Sequence, residues 1–145
     1  MGGCKVDPDA SPEFAVLKKH WKKQGYHSIN SDLEAAFTEI TKDVQACHCK
    51  PAGRTSAILL EAAPDRNVSL HKYRHKDKSS GEGASSGWRI YAIFDNDTEI
   101  LYPIIVYPHK KWADAHPDEI KKCVDEIIAV LKKREAEADN DQISN

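Results

Sequence analysis

An α+β domain is the fold class this sequence predicts: an N-terminal helical hairpin packed on a small antiparallel sheet of three to five strands, closed by a C-terminal helix. Three observations carry it. Apolar residues recur at helical spacing in two early blocks and one late block. Between them lie strand-like runs, Trp88–Phe94 and Ile100–Tyr107, joined by a short polar turn. The order helix, helix, strands, helix segregates the helices from the sheet.

Ser11-Pro12 opens the first helix, with Ser as cap and Pro where its missing N–H costs nothing. Phe14, Leu17 and Trp21 form its inner stripe, and Lys18, Lys19, Lys22 and Lys23 take the other faces up to Gly25. Ser31-Asp32-Leu33-Glu34 has the form of a capping box. Leu33, Ala36, Phe37, Ile40, Val44 and Cys47 then make the stripe of a second helix, which Pro51 and Gly53 end. Ala57 to Glu61 reads as a strand or a helical turn, and Ala63–Asn67 is turn chemistry.

Val68 to His75 alternates as a strand, with Val68, Leu70, Lys72 and Arg74 on one face and His71, Tyr73 and His75 on the other. Lys76 to Gly87 is a Gly/Ser-rich connector without a phosphate-loop pattern. Trp88 to Asp95 alternates again, with Arg89, Tyr91 and Ile93 sharing a side. After the turn Asp95–Thr98, the run Glu99–Tyr107 is nearly all apolar, and Pro103 within it requires a bulge or an unpaired edge. Acids at Asp118 and Glu119 open the last helix, whose buried stripe is Ile120, Val124, Ile127 and Leu131.

The 145 residues fit one domain. It is expected over 11–134, between a flexible N-terminus (1–10) and an acidic tail (135–145) too poor in apolar residues to fold. No apolar run approaches the roughly 18 residues of a membrane span, and the N-terminus lacks the apolar core of a secretory signal. With four scattered cysteines, a reducing cytoplasm is the expected compartment. Cys47-His48-Cys49 has an uncommon zinc spacing, and a buried thiol accounts for Cys47; no metal or other cofactor is expected.

Net charge is only −2, yet the acidic excess lies near the start (Asp7, Asp9, Glu13) and at the tail (Glu135, Glu137, Asp139, Asp141), and His71 to Lys78 holds one acid among Lys72, Arg74, Lys76 and Lys78. Cleavage of RNA by its own 2′-OH needs a proton acceptor, a proton donor and fixed positive charge at the phosphorus. Lys72, Arg74 and Arg89 supply fixed charge, and His109 titrates near neutrality. Trp112, beside His109-Lys110-Lys111, is a candidate stacking residue.

The middle of the chain resembles the RelE/HigB-type toxins of bacterial toxin–antitoxin systems, roughly from Phe14 to Leu131. The resemblance lies in Lys72-x-Arg74, the Ser79–Gly87 loop, Trp88-Arg89-Ile90-Tyr91, Ile105-Val106-Tyr107-Pro108-His109 and Asp114–Lys121. The N-terminal strand that many relatives have is not evident. The resemblance implies a compact ribonuclease fold acting on messenger RNA, commonly on the ribosome, and neutralisation by a cognate antitoxin protein. It implies catalytic positions at Lys72, Arg74, Arg89 and His109 with Lys110 or Lys111, of which Lys111 is taken here as catalytic; His75, Lys76, Lys110 and Trp112 are expected as RNA contacts. A ParE-like branch of the same superfamily instead poisons DNA gyrase, and a non-toxic relative would serve only as an interaction partner, so fold alone leaves function open. Arg89 is expected at the surface, where replacement by Ala leaves the fold intact.

Overall fold

In the computed structural model of the chain, the described residues are 5–46, 61–75, 87–108 and 117–143; side chains at 43–46, 75 and 139–143 fall outside the description. The elements run β1 (Lys5–Val6), α1 (Pro12–Lys23), α2 (Ile29–Ala46), β2 (Val68–His75), β3 (Trp88–Asp95), β4 (Ile100–Pro108) and α3 (Pro117–Ile143). The α+β class holds. The sheet, however, is mixed, with strand order β1-β4-β3-β2. β2–β3 and β3–β4 are antiparallel, as expected, and β1 runs parallel to β4.

That N-terminal strand was not legible because two residues are too few to show a period of two. Its place is fixed by backbone bonds, Lys5 N–H to the Glu99 carbonyl at 3.0 Å and Asp7 N–H to that of Leu101 at 2.9 Å. Asp7 is also tied to α3 by Arg134, Nη1 to Oδ2 at 2.9 Å, so the expected flexible segment is anchored from Lys5 onward.

α1 starts as expected, the Ser11 hydroxyl accepting from Phe14 N–H. α2 starts two residues ahead of the expected capping box, at Ile29. There the Ser28 carbonyl accepts the first backbone bond, from Asp32 N–H, and the Ser28 hydroxyl donates to Asp32 Oδ2 at 3.1 Å, so the helix opens at Ser28 and not at Ser31. α3 runs to Ile143, past the Arg134 boundary expected from apolar content. A helix already nucleated by its packed half extends at little cost through Ala- and Glu-rich sequence. A bidentate pair between Arg66 and Glu135, 2.8 Å on each arm, meets this extension at its start.

Between Tyr91 and Ala92 the β3–β4 register shifts. Tyr91 faces Ile105 but Ala92 faces Pro103, so Pro103 and Ile104 share one partner. Pro103 therefore sits at a bulge, where a missing donor disturbs the ladder least.

Two indole N–H groups fasten the helices to the sheet. Trp21 of α1 donates to the Val106 carbonyl at 2.9 Å. That carbonyl lies beyond the part of β4 paired by β1, which ends at Leu101. Trp88 of β3 donates to Asp32 Oδ2 at 3.0 Å, and Tyr26 packs edge-on against the Trp88 ring at 5.2 Å. Farther along the same sheet face, Ala92, Phe94 and Leu101 close on Ile40 and Phe37 of α2. α3 buries Ile120, Cys123, Val124, Ile127, Ile128 and Leu131 against the rest of the core.

Because Asp32 and Trp88 are both fully buried, Trp88→Phe strands part of a carboxylate's hydrogen bonding. The expected loss is about 1–3 kcal/mol, read as a lower urea midpoint at unchanged m-value; a midpoint equal to wild type would show that the bond adds nothing net.

Candidate nucleic-acid interface

β2 alternates as expected, and the register shows what that alternation delivers. Arg74 lies directly opposite Arg89, and Arg89 directly opposite Tyr107; one step along, Lys72 lies opposite Tyr91 and Tyr91 opposite Ile105. Lys72, Arg74, Arg89, Tyr91 and Tyr107 thus occupy one face at one end of the sheet. Three of the five expected catalytic positions, Lys72, Arg74 and Arg89, come together. The other two, His109 and Lys111, lie outside the described residues, as do Lys76, Lys110 and Trp112. His75 pairs with Trp88 in the register, and its side chain is outside the description.

The three cations differ in setting. Lys72 and Arg74 are exposed, and the Lys72 ammonium lies 5.7 Å from the centre of the Tyr91 ring, within range of a cation–π attraction. Arg89 is 3 % exposed, which corrects the expectation of a surface residue: β3 is a central strand, and its guanidinium is enclosed between its neighbours. Nη1 donates to the Trp88 carbonyl at 3.4 Å. Burial lowers the Arg89 pKa, the Arg74 charge lowers it further, and Tyr107 opposes both. The group stays cationic, since a guanidinium does not deprotonate in proteins. Tyr107 is fully buried and stacks on Tyr91 at 6.4 Å between ring centres.

Like charges placed opposite each other across a strand pair destabilise a sheet. Arg74 and Arg89 are such a pair, and an anion held at exposed Arg74 would offset their repulsion. Sequence reasoning put Tyr91 on the Arg89 side but missed Tyr107, whose place opposite Arg89 is given by the strand register.

His71 belongs to the opposite face and is 5 % exposed. Its Nε2 lies 2.8 Å from the Ser69 hydroxyl, and its ring stacks on Tyr73 at 5.6 Å. Ser69 is 1 % exposed, so this Ser–His contact is closed to substrate. Cys123 is buried beside a cavity of about 90 Å³ lined by Glu13, Leu17, Ile105, Glu119 and Lys122. Burial, reinforced by Glu126 and Glu13, pushes its thiol up to about 12, so it is a core residue and a poor nucleophile. Cys47, His48 and Cys49 lie outside the described residues. Among the described residues no helix is long and apolar enough to cross a membrane.

Comparison of the chain with protein-family models, with curated proteins and with solved structures finds no match.

Burial lowers the His71 pKa, so the unfolded chain binds the proton first, near pH 6.5. The stabilising effect of the neutral, buried ring is present above that value and is lost as pH falls through the lower folded pKa. Thermal stability should therefore drop between pH 7.5 and 5 more steeply in the wild type than in His71→Phe; parallel curves would remove His71 as the cause.

Proposed function

We propose that this chain is the toxin component of a type II toxin–antitoxin system, a metal-independent endoribonuclease that cleaves messenger RNA, associated with the ribosome and restrained by a cognate antitoxin. The observation that carries the reading is the opposition of Arg74 and Arg89 on a sheet face shared with Lys72. Support also comes from the sequence resemblance around Trp88-Arg89 and Tyr107-Pro108-His109.

On this reading the scissile phosphate sits against exposed Arg74, with Lys72 on the neighbouring backbone, and Arg89, buried behind Arg74, acts on it through its charge rather than by contact. The 2′-oxygen attacks phosphorus as its proton leaves, and the P–O5′ bond breaks. The 5′-oxygen takes up a proton, and the products are a 2′,3′-cyclic phosphate and a 5′-hydroxyl. Charge accumulates on the non-bridging oxygens, and a guanidinium held in a buried setting acts on them more strongly than one in water. Arg89 contributes that fixed charge, and exposed Arg74 and Lys72 draw the strand in. Proton transfer falls to His109 and Lys111.

Purified protein with ribosomes and messenger RNA should give cuts ending in cyclic phosphate that persist in chelator; intact RNA at protein excess sinks the reading. Arg74→Ala is a cleaner probe than Arg89→Ala, because Arg74 is exposed and its removal relieves a like-charge pair. It should lower the cleavage rate by roughly 10²-fold with a melting temperature equal to or above wild type. Undiminished cleavage removes Arg74 from the site.

A further inference from the structure

We propose that the outer face of α1 is a docking site for the phosphate backbone of a nucleic-acid duplex, separate from the Arg74–Arg89 face. The stretch 14–31 contains no Asp or Glu, yet it carries Lys18, Lys19, Lys22 and Lys23 as well as His20 and His27, in a chain of net charge −2. Such segregation is a local field that the overall charge conceals.

The helix displays these lysines in an ordered way. Phe14, Leu17 and Trp21 are buried, which leaves Lys18, Lys19, Lys22 and Lys23 outside that stripe together with Ala15, Val16 and His20. Ala15, Lys18, Lys19 and Lys22, with Asn30 from the start of α2, line a shallow depression of about 220 Å³. Lys19, Lys22 and Lys23 are exposed, while Lys18 is half-buried with its ammonium 5.7 Å from the centre of the Phe14 ring. Among the described residues none of the four enters an ion pair, whereas Arg66 and Arg134 both do. Three amines, one amide and a methyl group around a shallow hollow, with the Lys23 amine beyond it on the same helix, match a row of phosphate oxygens.

The same face favours a duplex over a single strand or a membrane. Single-strand sites use exposed rings as stacking platforms. Here the Phe14 and Trp21 rings are buried, and the His20 ring is turned edge-on to Trp21 at 4.5 Å. Membrane-surface helices bury an apolar face, and Val16 is the one exposed large hydrophobic among the described residues. Lysines that contact phosphates without reading bases hold a duplex by charge and shape. α1 packs over β4 and Arg74 lies on β2, two strands away, so the two basic surfaces are distinct in the fold. The inference holds whether or not the chain cleaves RNA.

The test uses the full chain and fluorescence anisotropy with a 20-base-pair RNA duplex and a DNA duplex of equal length, across a salt series. Four phosphate contacts correspond to a slope of log affinity against log salt near −3.6, by the rule of about 0.9 per contact. Lys19→Ala/Lys23→Ala should flatten the slope by about 2 and weaken binding on the order of tenfold or more at 0.15 M salt. Lys18→Ala/Lys22→Ala should do the same, with circular dichroism unchanged in both. Binding to either duplex with this lysine dependence supports the site, and the tighter duplex names its source. Absence of duplex binding overturns it, as does a slope unaltered in both variants. Equal binding of polyglutamate or of phosphatidylserine vesicles through the same lysines also overturns it. Arg74→Ala separates the two readings, because it should lower cleavage and leave the α1-dependent part of the slope in place.

Discussion

The bond from the Trp88 indole to the Asp32 carboxylate is the constraint on which the arrangement depends. It joins the first turn of α2 to the central strand, and both partners are fully buried. A carboxylate taken out of water needs donors, and the Ser28 hydroxyl supplies a second one from the helix start. One side chain therefore settles where α2 begins and how it sits over the sheet. Because Trp88 is pinned on this face, strand alternation commits Arg89 to the other. The basic face exists in its present place because an indole is held on the reverse side.

Burial separates the roles of the two opposed arginines. Arg74 remains in water and adapts to what approaches, whereas Arg89 is held between Arg74 and Tyr107 on a fully buried strand. A structure built for stability alone would place an acid or a neutral residue at one of these positions. Tyr91 and Tyr107 supply a stacked aromatic floor beneath the charges, and Lys72 rests its ammonium over one of the two rings.

Much of this was legible in the sequence. The strand limits at 68–75 and 88–95, the Ser11-Pro12 helix start and the core stripe Ile120, Val124, Ile127, Leu131 follow from periodicity, capping and turn chemistry, which act over a few residues. The unread parts depend on distant partners. β1 exists through its bonds to Glu99 and Leu101, and α2 starts at Ile29 because Asp32 is engaged from β3. The last turns of α3 follow a helix nucleated upstream and need no apolar stripe of their own. For the site, alternation put Lys72 with Arg74 on one face, but only the register could put Arg74 opposite Arg89. The burial of Arg89 was hidden too, since a charge in a strand reads as exposed until the neighbouring strands are known.

The bulge at Pro103-Ile104 works as a one-residue dislocation in β4. In an unbroken strand, residues an odd number apart face opposite ways. Here Tyr102 and Tyr107, opposite Ile93 and Arg89 respectively, end up on the same side. The half of β4 that holds β1 and the half that lies beside Arg89 therefore keep separate phases. Changes of length or twist at the basic end can be absorbed at the dislocation, without re-registering the end that anchors the N-terminal strand.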